Sequence, residues 1–410
     1  RRPASQRVAA RAVALWQRSD LWIAAAAVYA ILFRIAAPGF TGLLAACGIL
    51  AAIVLLRAAP FAAVAVAATA AAIAVIAPKI VTAIVVASVS EQFDLTVDHR
   101  PVPDGRNINS DGLRFQGESA DVREEEFVVL FLGDSFTFGT RLPNRATYPQ
   151  VFEALANAPG CETRVRAINF GWLSSSPLLG LRLLRRIGYA YKPDLVVYNL
   201  DMTDFHDDLR YERALRSAGE FEVDTARVVQ QFLDRALPWL QVDLVDASGV
   251  RGLLRPGPPR EVGGGPAPPE DRFFATSAPL EVTQRWIERG VVKNLADLHA
   301  FSADTLGVPM VLVLYPRAYQ YSESESPENW ERRSYEVLGP YVREPFRYFD
   351  EAADRLPYPV VNLMPAFENS EIFPLFLVDD PHWNRDGARL AARSVHRALE
   401  DLAVLPCAAR

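Results

Sequence analysis

The chain has 410 residues, half of them apolar, with 43 Lys+Arg against 49 Asp+Glu for a net charge of −6. That length allows two or three domains with ample core, and the apolar content excludes a disordered chain. The charge is divided, residues 1–90 carrying +7 and residues 91–410 the remaining −13, and so acidic a body repels phosphate backbones and excludes nucleic acid as the expected partner.

Residues 1–20 form a basic tail, with five arginines against Asp20. From 21 to 90 the only charged residues are Arg34, Arg57 and Lys79, a stretch too long for a cleavable leader. It reads as about three transmembrane helices at 21–37, 40–56 and 61–78, broken at Pro38-Gly39 and before Pro60, each near the lower length limit for crossing a bilayer. The leading arginines favour a cytoplasmic N-terminus, and three crossings then place the body outside the cytoplasm. The expected protein is integral to the membrane, with the lipid bilayer as a partner. A two-span arrangement, 35–56 and 58–78, would leave the body in the cytoplasm and ranks second, because it buries Pro38-Gly39 within a helix. The chain starts at Arg1, so upstream sequence is expected.

Residues 91–124 are polar and read as a linker ordered against the following domain. The continuous apolar run 127–132, with similar runs at 165–170, 195–200, 308–315 and 359–363, has strand length and the composition of strands buried on both faces. Helical stretches at 148–156, 178–187, 292–305 and 385–402 alternate with them. The expected fold is α/β: a three-layer, doubly wound parallel sheet over 125–405. An insertion is expected at about 207–289, with a helix at 225–237 and a Pro/Gly-rich loop at 256–266. Its Phe273, Phe274 and Trp286 read as insertion core before groove lining. A second polar excursion spans 319–336. Cys47 falls in a span, whereas Cys161 and Cys407 could reach one flank and pair.

After the first strand comes Gly133-Asp134-Ser135-Phe136-Thr137-Phe138-Gly139. In an open parallel sheet the ligand site lies beyond the strands' carboxyl ends, and a Ser in that turn exposes its hydroxyl there. The residues form neither a phosphate loop nor a Gly-x-Ser-x-Gly elbow. Far along the chain stands Asp379-Asp380-Pro381-His382-Trp383-Asn384. A nucleophilic serine needs a base, and the base needs a carboxylate to hold its tautomer. Asp379, three residues before His382, is the first choice for that carboxylate, and Asp380 serves if the backbone is extended. His99, His299 and His396 lack such company. His206, in Asp204-Phe205-His206-Asp207-Asp208, has no spaced second His or Cys, so no metal site is expected.

These blocks resemble those of the SGNH hydrolases, also called GDSL esterases and lipases. Gly133-Asp134-Ser135 and Asp379-x-x-His382 carry the likeness, with Asn169-Phe170-Gly171 resembling the second block and 192–204 the third. The sequence around 109–114 is similar to a lead-in of membrane-anchored bacterial members. The resemblance implies Ser135 as nucleophile, His382 as base and Asp379 as its orienter. It also implies an oxyanion hole of Ser135 and Gly171 N–H groups, with Thr203 standing where the family has Asn, and with Asp134, Asp380 and Asp204 as supporting carboxylates. The implied activity is hydrolysis of small acyl esters, including O-acetyl groups on a glycan, without a cofactor. The alternatives are an O-acetyltransferase acting on a surface polysaccharide and a non-catalytic binding protein that keeps the fold.

Overall fold

The computed structural model describes residues 91–158, 162–215 and 269–406. The three expected membrane spans, the helix at 225–237, the Pro/Gly-rich loop and all three cysteines lie outside the described residues. Among the described residues, no helix is long and apolar enough to cross a membrane.

The segment expected as a linker opens with an antiparallel hairpin, β1 (Glu91–Asp94) and β2 (Asp98–Pro101). It then coils through Asn109, whose carboxamide accepts from the N–H groups of Asp111 and Leu113 and donates to Gly117 O and Tyr191 Oη. That turn aims Arg114 at the carbonyls of Phe138, Gly139 and Leu142.

Five strands follow: β3 (Phe127–Gly133), β4 (Val165–Gly171), β5 (Leu195–Leu200), β6 (Met310–Leu314) and β7 (Val360–Asn362). All pair in parallel, in the order β4-β3-β5-β6-β7. Numbered within the sheet, the order is 2-1-3-4-5, a doubly wound arrangement in which the direction of strand addition reverses between its first and third strands. The switch point therefore lies between the ends of β3 and β5.

The helices are α1 (Ser135–Phe138), α2 (Tyr148–Ala156), α3 (Pro177–Ile187), α4 (Asp204–Ala214), α5 (Phe274–Ser277), α6 (Leu280–Ile287), α7 (Lys293–Ala300), α8 (Glu344–Ala352), α9 (Met364–Glu368) and α10 (Arg385–Asp401). Wider turns at Glu288–Val292 and Phe301–Leu306 make one continuous helix of α6 and α7. It begins twelve residues before the helix expected at 292. Trp286, together with Phe274, is accordingly part of the core.

Side chains alternate across each strand, so the strands serve two cores. Leu130, Leu132, Ile168, Val196 and Leu312 pack under α3, α6, α7 and α8. Val129, Phe131, Ala167, Val197 and Val311 pack under α2 and α10. This double burial is why the strands read as unbroken apolar runs.

Candidate active site

Gly133 ends β3 with φ of +151°. A Cβ there would lie 2.3 Å from Thr137 Oγ1 and 2.9 Å from the Asn199 carbonyl, so only glycine admits this turn. Asp134 caps α1 by accepting from Phe136 N at 2.9 Å, which places Ser135 at the first helical position. A helix supplies no acceptor for an N–H at that position.

His382 arrives on a short hairpin, 375–384, closed by Leu377 N to His382 O and Asn384 N to Leu375 O, both 2.9 Å. The imidazole Nε2 lies 2.7 Å from Ser135 Oγ, across 247 positions of sequence. Its Nδ1 bonds to Asp380 Oδ1, which also accepts the His382 backbone N–H at 3.1 Å. The Phe136 ring packs 4.8 Å from the imidazole, centroid to centroid. Burial raises the Asp380 carboxyl, but the hydrogen bond and charge of His382, with help from Arg141, outweigh it and hold the group below its usual range.

Asp379 does not meet the histidine. Its carboxylate is 58% exposed and pairs with Arg141 at 2.8 Å. The expectation of a one-turn Asp379–His382 pair is therefore corrected to Asp380. The cause is local: an aspartate readily accepts from the backbone two residues on, and the intervening Pro381 has its φ fixed by its ring, so Asp380 closes that turn.

The oxyanion-hole expectations also change. The Gly171 N–H donates to Asn169 Oδ1 at 3.0 Å, inside the sheet edge. Asn169 in turn donates to Thr137 O at 2.9 Å. The Thr203 N–H and hydroxyl both donate to Asp201 Oδ2, at 2.9 and 2.5 Å. Neither residue has a donor left for a substrate oxygen, and of the three residues named only the Ser135 N–H remains. The loop 172–176 lies beside it, with Trp172 N and Ser175 Oγ donating to Gly133 O at 3.3 and 3.0 Å. Ser174 in that loop has φ of +53°.

A buried ion network absent from the sequence expectations explains Thr203. Arg317, just past the end of β6, is 3% exposed and grips Asp201 with Nε and Nη2 at 2.8 and 2.7 Å. Its Nη1 bonds to Glu331, which also pairs with Arg272 at 2.6 Å. The guanidinium sits 5.3 Å over the Phe136 ring. Burial opposes ionisation of Asp201, but Arg317 overrides it and holds the carboxyl at about 2. Asp134 responds the other way: burial and the Asp201 charge push it up to about 7 against the pull of Arg317, and Tyr315 donates to it at 2.9 Å. Burial and the same two aspartates raise Asp204, which accepts from Asp201 N at 3.1 Å. Neither Asp134 nor Asp204 touches the imidazole in this arrangement. The signal that could have found Arg317 is its place: a charged residue immediately after a buried parallel strand stands at the ligand edge.

Other sequence candidates fall elsewhere. Among the described residues, no group of three or more His, Cys, Asp or Glu could hold a metal ion. His206 lies 3.6 Å from Asp207. His99, with Asp98 on Nδ1 at 2.6 Å, braces the loop 172–176 through Leu173 O, also at 2.6 Å. Phe273 is buried against Tyr319 and Tyr335.

No protein-family model matches the chain, and no curated relative does. Among solved structures, the chain is similar to the psychrotrophic esterase EstA from Pseudoalteromonas sp. (13% identity, TM-score 0.36, 68% of this chain and 99% of that one). It is similar likewise to the lipase/acylhydrolase from Enterococcus faecalis (16%, 0.36, 67% and 95%). A third is a catalytic mutant of Axe2, an acetylxylan esterase from Geobacillus stearothermophilus (15%, 0.34, 67% and 95%). The structural neighbours thus include lipases and esterases, two of them described as GDSL or GDSL-like. The reaction of this chain is argued below from its own side chains.

Proposed function

We propose that the chain is a serine esterase that works through an acyl-enzyme, with Ser135 as nucleophile, His382 as base and Asp380 as its orienter. The observation that carries the reading is the Ser135–His382–Asp380 relay at the sheet's switch point. In it His382 Nε2 takes the proton as Ser135 Oγ attacks the ester carbonyl. The Asp380 carboxylate holds Nδ1 protonated and stabilises the imidazolium. The Ser135 N–H, at the start of α1, stabilises the oxyanion, and we assign the second donor to the loop 172–176. The imidazolium returns its proton to the leaving alcohol. Water, deprotonated by His382, then attacks the acyl-enzyme, and the imidazolium returns that proton to Ser135 Oγ as the acid is freed.

The substrate class is small acyl esters, including O-acetyl groups on a glycan. A sugar hydroxyl in place of water would give an O-acetyltransferase, and product analysis with and without a glycan acceptor separates the two. The run at 21–90, with three charged residues in seventy, supports a membrane tether, and the arginines before it support an extracytoplasmic body.

The experiment is labelling with a fluorophosphonate probe, which phosphonylates an activated serine. Wild type labels and Ser135→Ala does not. Absence of labelling in wild type would favour a binding protein that has lost turnover. Labelling that survives Ser135→Ala would sink the assignment of the nucleophile.

A further inference from the structure

The loop 172–176 is held by two sets of bonds. One joins it to the end of β3, where Trp172 N and Ser175 Oγ donate to Gly133 O, two residues before Ser135. The other takes two consecutive carbonyls of the loop with side chains from separate elements. His99 of β2, 4% exposed, has Nε2 2.6 Å from Leu173 O, and the buried Tyr211 of α4 donates its hydroxyl to Ser174 O at 2.7 Å. A carbonyl only accepts, so His99 Nε2 carries the proton of that bond. Asp98 takes Nδ1 at 2.6 Å, and Glu91 of β1 stands 3.8 Å from Nε2. The chain thus has a second Asp–His pair, aimed at a backbone carbonyl instead of a hydroxyl.

These bonds fix the direction of the loop's peptide groups. In a trans peptide the C=O and N–H are opposed, so a Leu173 carbonyl turned toward His99 turns the Ser174 N–H away from β2. The Ser174 carbonyl, turned toward Tyr211, orients the N–H of Ser175, which closes the turn on Trp172 O at 3.3 Å. The Ser174 N–H has no backbone acceptor among the described residues. Ser174 itself has φ of +53°, a conformation that an L-residue keeps only where its surroundings over-determine it. The two side chains supply that determination.

We infer that His99 and Tyr211 are positioning residues of the esterase: by holding the Leu173 and Ser174 carbonyls, they set the loop's N–H groups for the oxyanion that forms at Ser135. The inference rests on the esterase reading, in which this loop supplies the second oxyanion donor. The route of both side chains to the reaction runs through the loop backbone. Their effect therefore falls on the tetrahedral state, where the carbonyl oxygen becomes an anion, and not on the binding of the ester.

The test follows His99→Leu, His99→Gln and Tyr211→Phe in the full chain on p-nitrophenyl acetate. Beside it, the affinity of a trifluoromethyl ketone is measured, a compound that adds to an activated serine as a tetrahedral oxyanion. Misplacing a catalytic group by about 1 Å can cost about 10²-fold, so His99→Leu should lower kcat about 10–100-fold with KM within about twofold. Ketone affinity should fall by the same factor as kcat/KM. Tyr211→Phe should show the same pattern in smaller measure. His99→Gln keeps an N–H donor for Leu173 O and should recover most of the loss. Unaltered kcat in both His99→Leu and Tyr211→Phe would overturn the inference, as would a loss confined to KM. So would an equal loss in His99→Leu and His99→Gln, which marks packing and not the hydrogen bond. Should His99→Leu not fold, Tyr211→Phe decides alone: a lower kcat with matching loss of ketone affinity supports the role, and an unchanged kcat removes it. Wild type that neither hydrolyses the ester nor reacts with the fluorophosphonate ends the esterase reading and this role together. Wild type that does both, beside variants of unchanged kcat, ends this role alone.

Discussion

At the residue scale, the two adjacent aspartates of the distal block have opposite fates. Asp380 is drawn inward by two donors of His382, whereas Asp379 turns to Arg141 at the surface. A Ser-His-Asp site whose carboxylate becomes an amide loses about 10⁴ in kcat, because the imidazole tautomer is no longer held. Asp380→Asn is expected to show a loss of that order. Asp379→Asn removes one exposed ion pair, worth less than about 1 kcal/mol, and should leave kcat within about threefold. Equal losses in a steady-state assay would return the role to Asp379 or to neither. Composition and motif order could nominate both residues but not choose between them. The choice lies in backbone dihedrals within a three-residue turn, with Pro381 fixing one of them.

At the scale of elements, the hairpin that carries His382 is held from two sides. Glu325 accepts the N–H groups of Leu375 and Phe376 at 2.7 and 3.2 Å, and the Ser326 hydroxyl lies 2.8 and 2.7 Å from the carbonyls of Leu377 and Asp380. The polar run expected as an excursion is therefore a brace for the histidine limb. Behind the hairpin, α10 approaches so closely that a Cβ on Gly387 would stand 2.1 Å from Leu375 O, a backbone atom that cannot step aside alone. Gly387→Ala should cost about 1–3 kcal/mol, as overpacking does. It should also move His382 off Ser135, lowering kcat more than it changes KM. A variant with wild-type melting temperature and kcat would show that the hairpin is not seated on α10. The strands and most helices were legible because their period and composition reflect burial on known faces. The braces were not legible, since a surface-like Ser-Glu repeat carries no mark of the partner that buries it.

At the scale of the molecule, the active-site edge gathers more carboxyls than one guanidinium neutralises, and stability should follow pH accordingly. Asp201, held at about 2 against an ordinary 3.8, binds fewer protons folded than unfolded near pH 3. Its stabilisation is complete above about pH 4 and is lost as pH falls toward 2. Asp134 is the reverse case. At about 7 it keeps a proton in the folded state that the unfolded chain has released, so stability declines as pH rises from about 4 through 7. Burial pushes Asp208 up to about 6, which adds to that decline. The melting temperature is expected to peak in mildly acidic solution. Asp134→Asn keeps the acceptor used by Phe136 N and Tyr315 and carries no charge to bury. Its advantage over wild type should grow from pH 4 to pH 8, and a gap independent of pH would refute a protonated Asp134.

The amino-acid sequence by itself determined the alternating α/β architecture, the parallel sheet, and the nomination of Ser135 and His382. Burial on two faces writes itself into apolar runs, and nucleophile turns into short local motifs. Only the tertiary structure decided which aspartate bonds to His382 and that Thr203 serves Asp201. The same holds for Arg317 as the counter-ion of the sheet edge, because those outcomes depend on hydrogen bonds closed between segments more than a hundred residues apart or on the dihedrals of one turn. Each donor bonds where distance and angle permit, and neither is a property of sequence order.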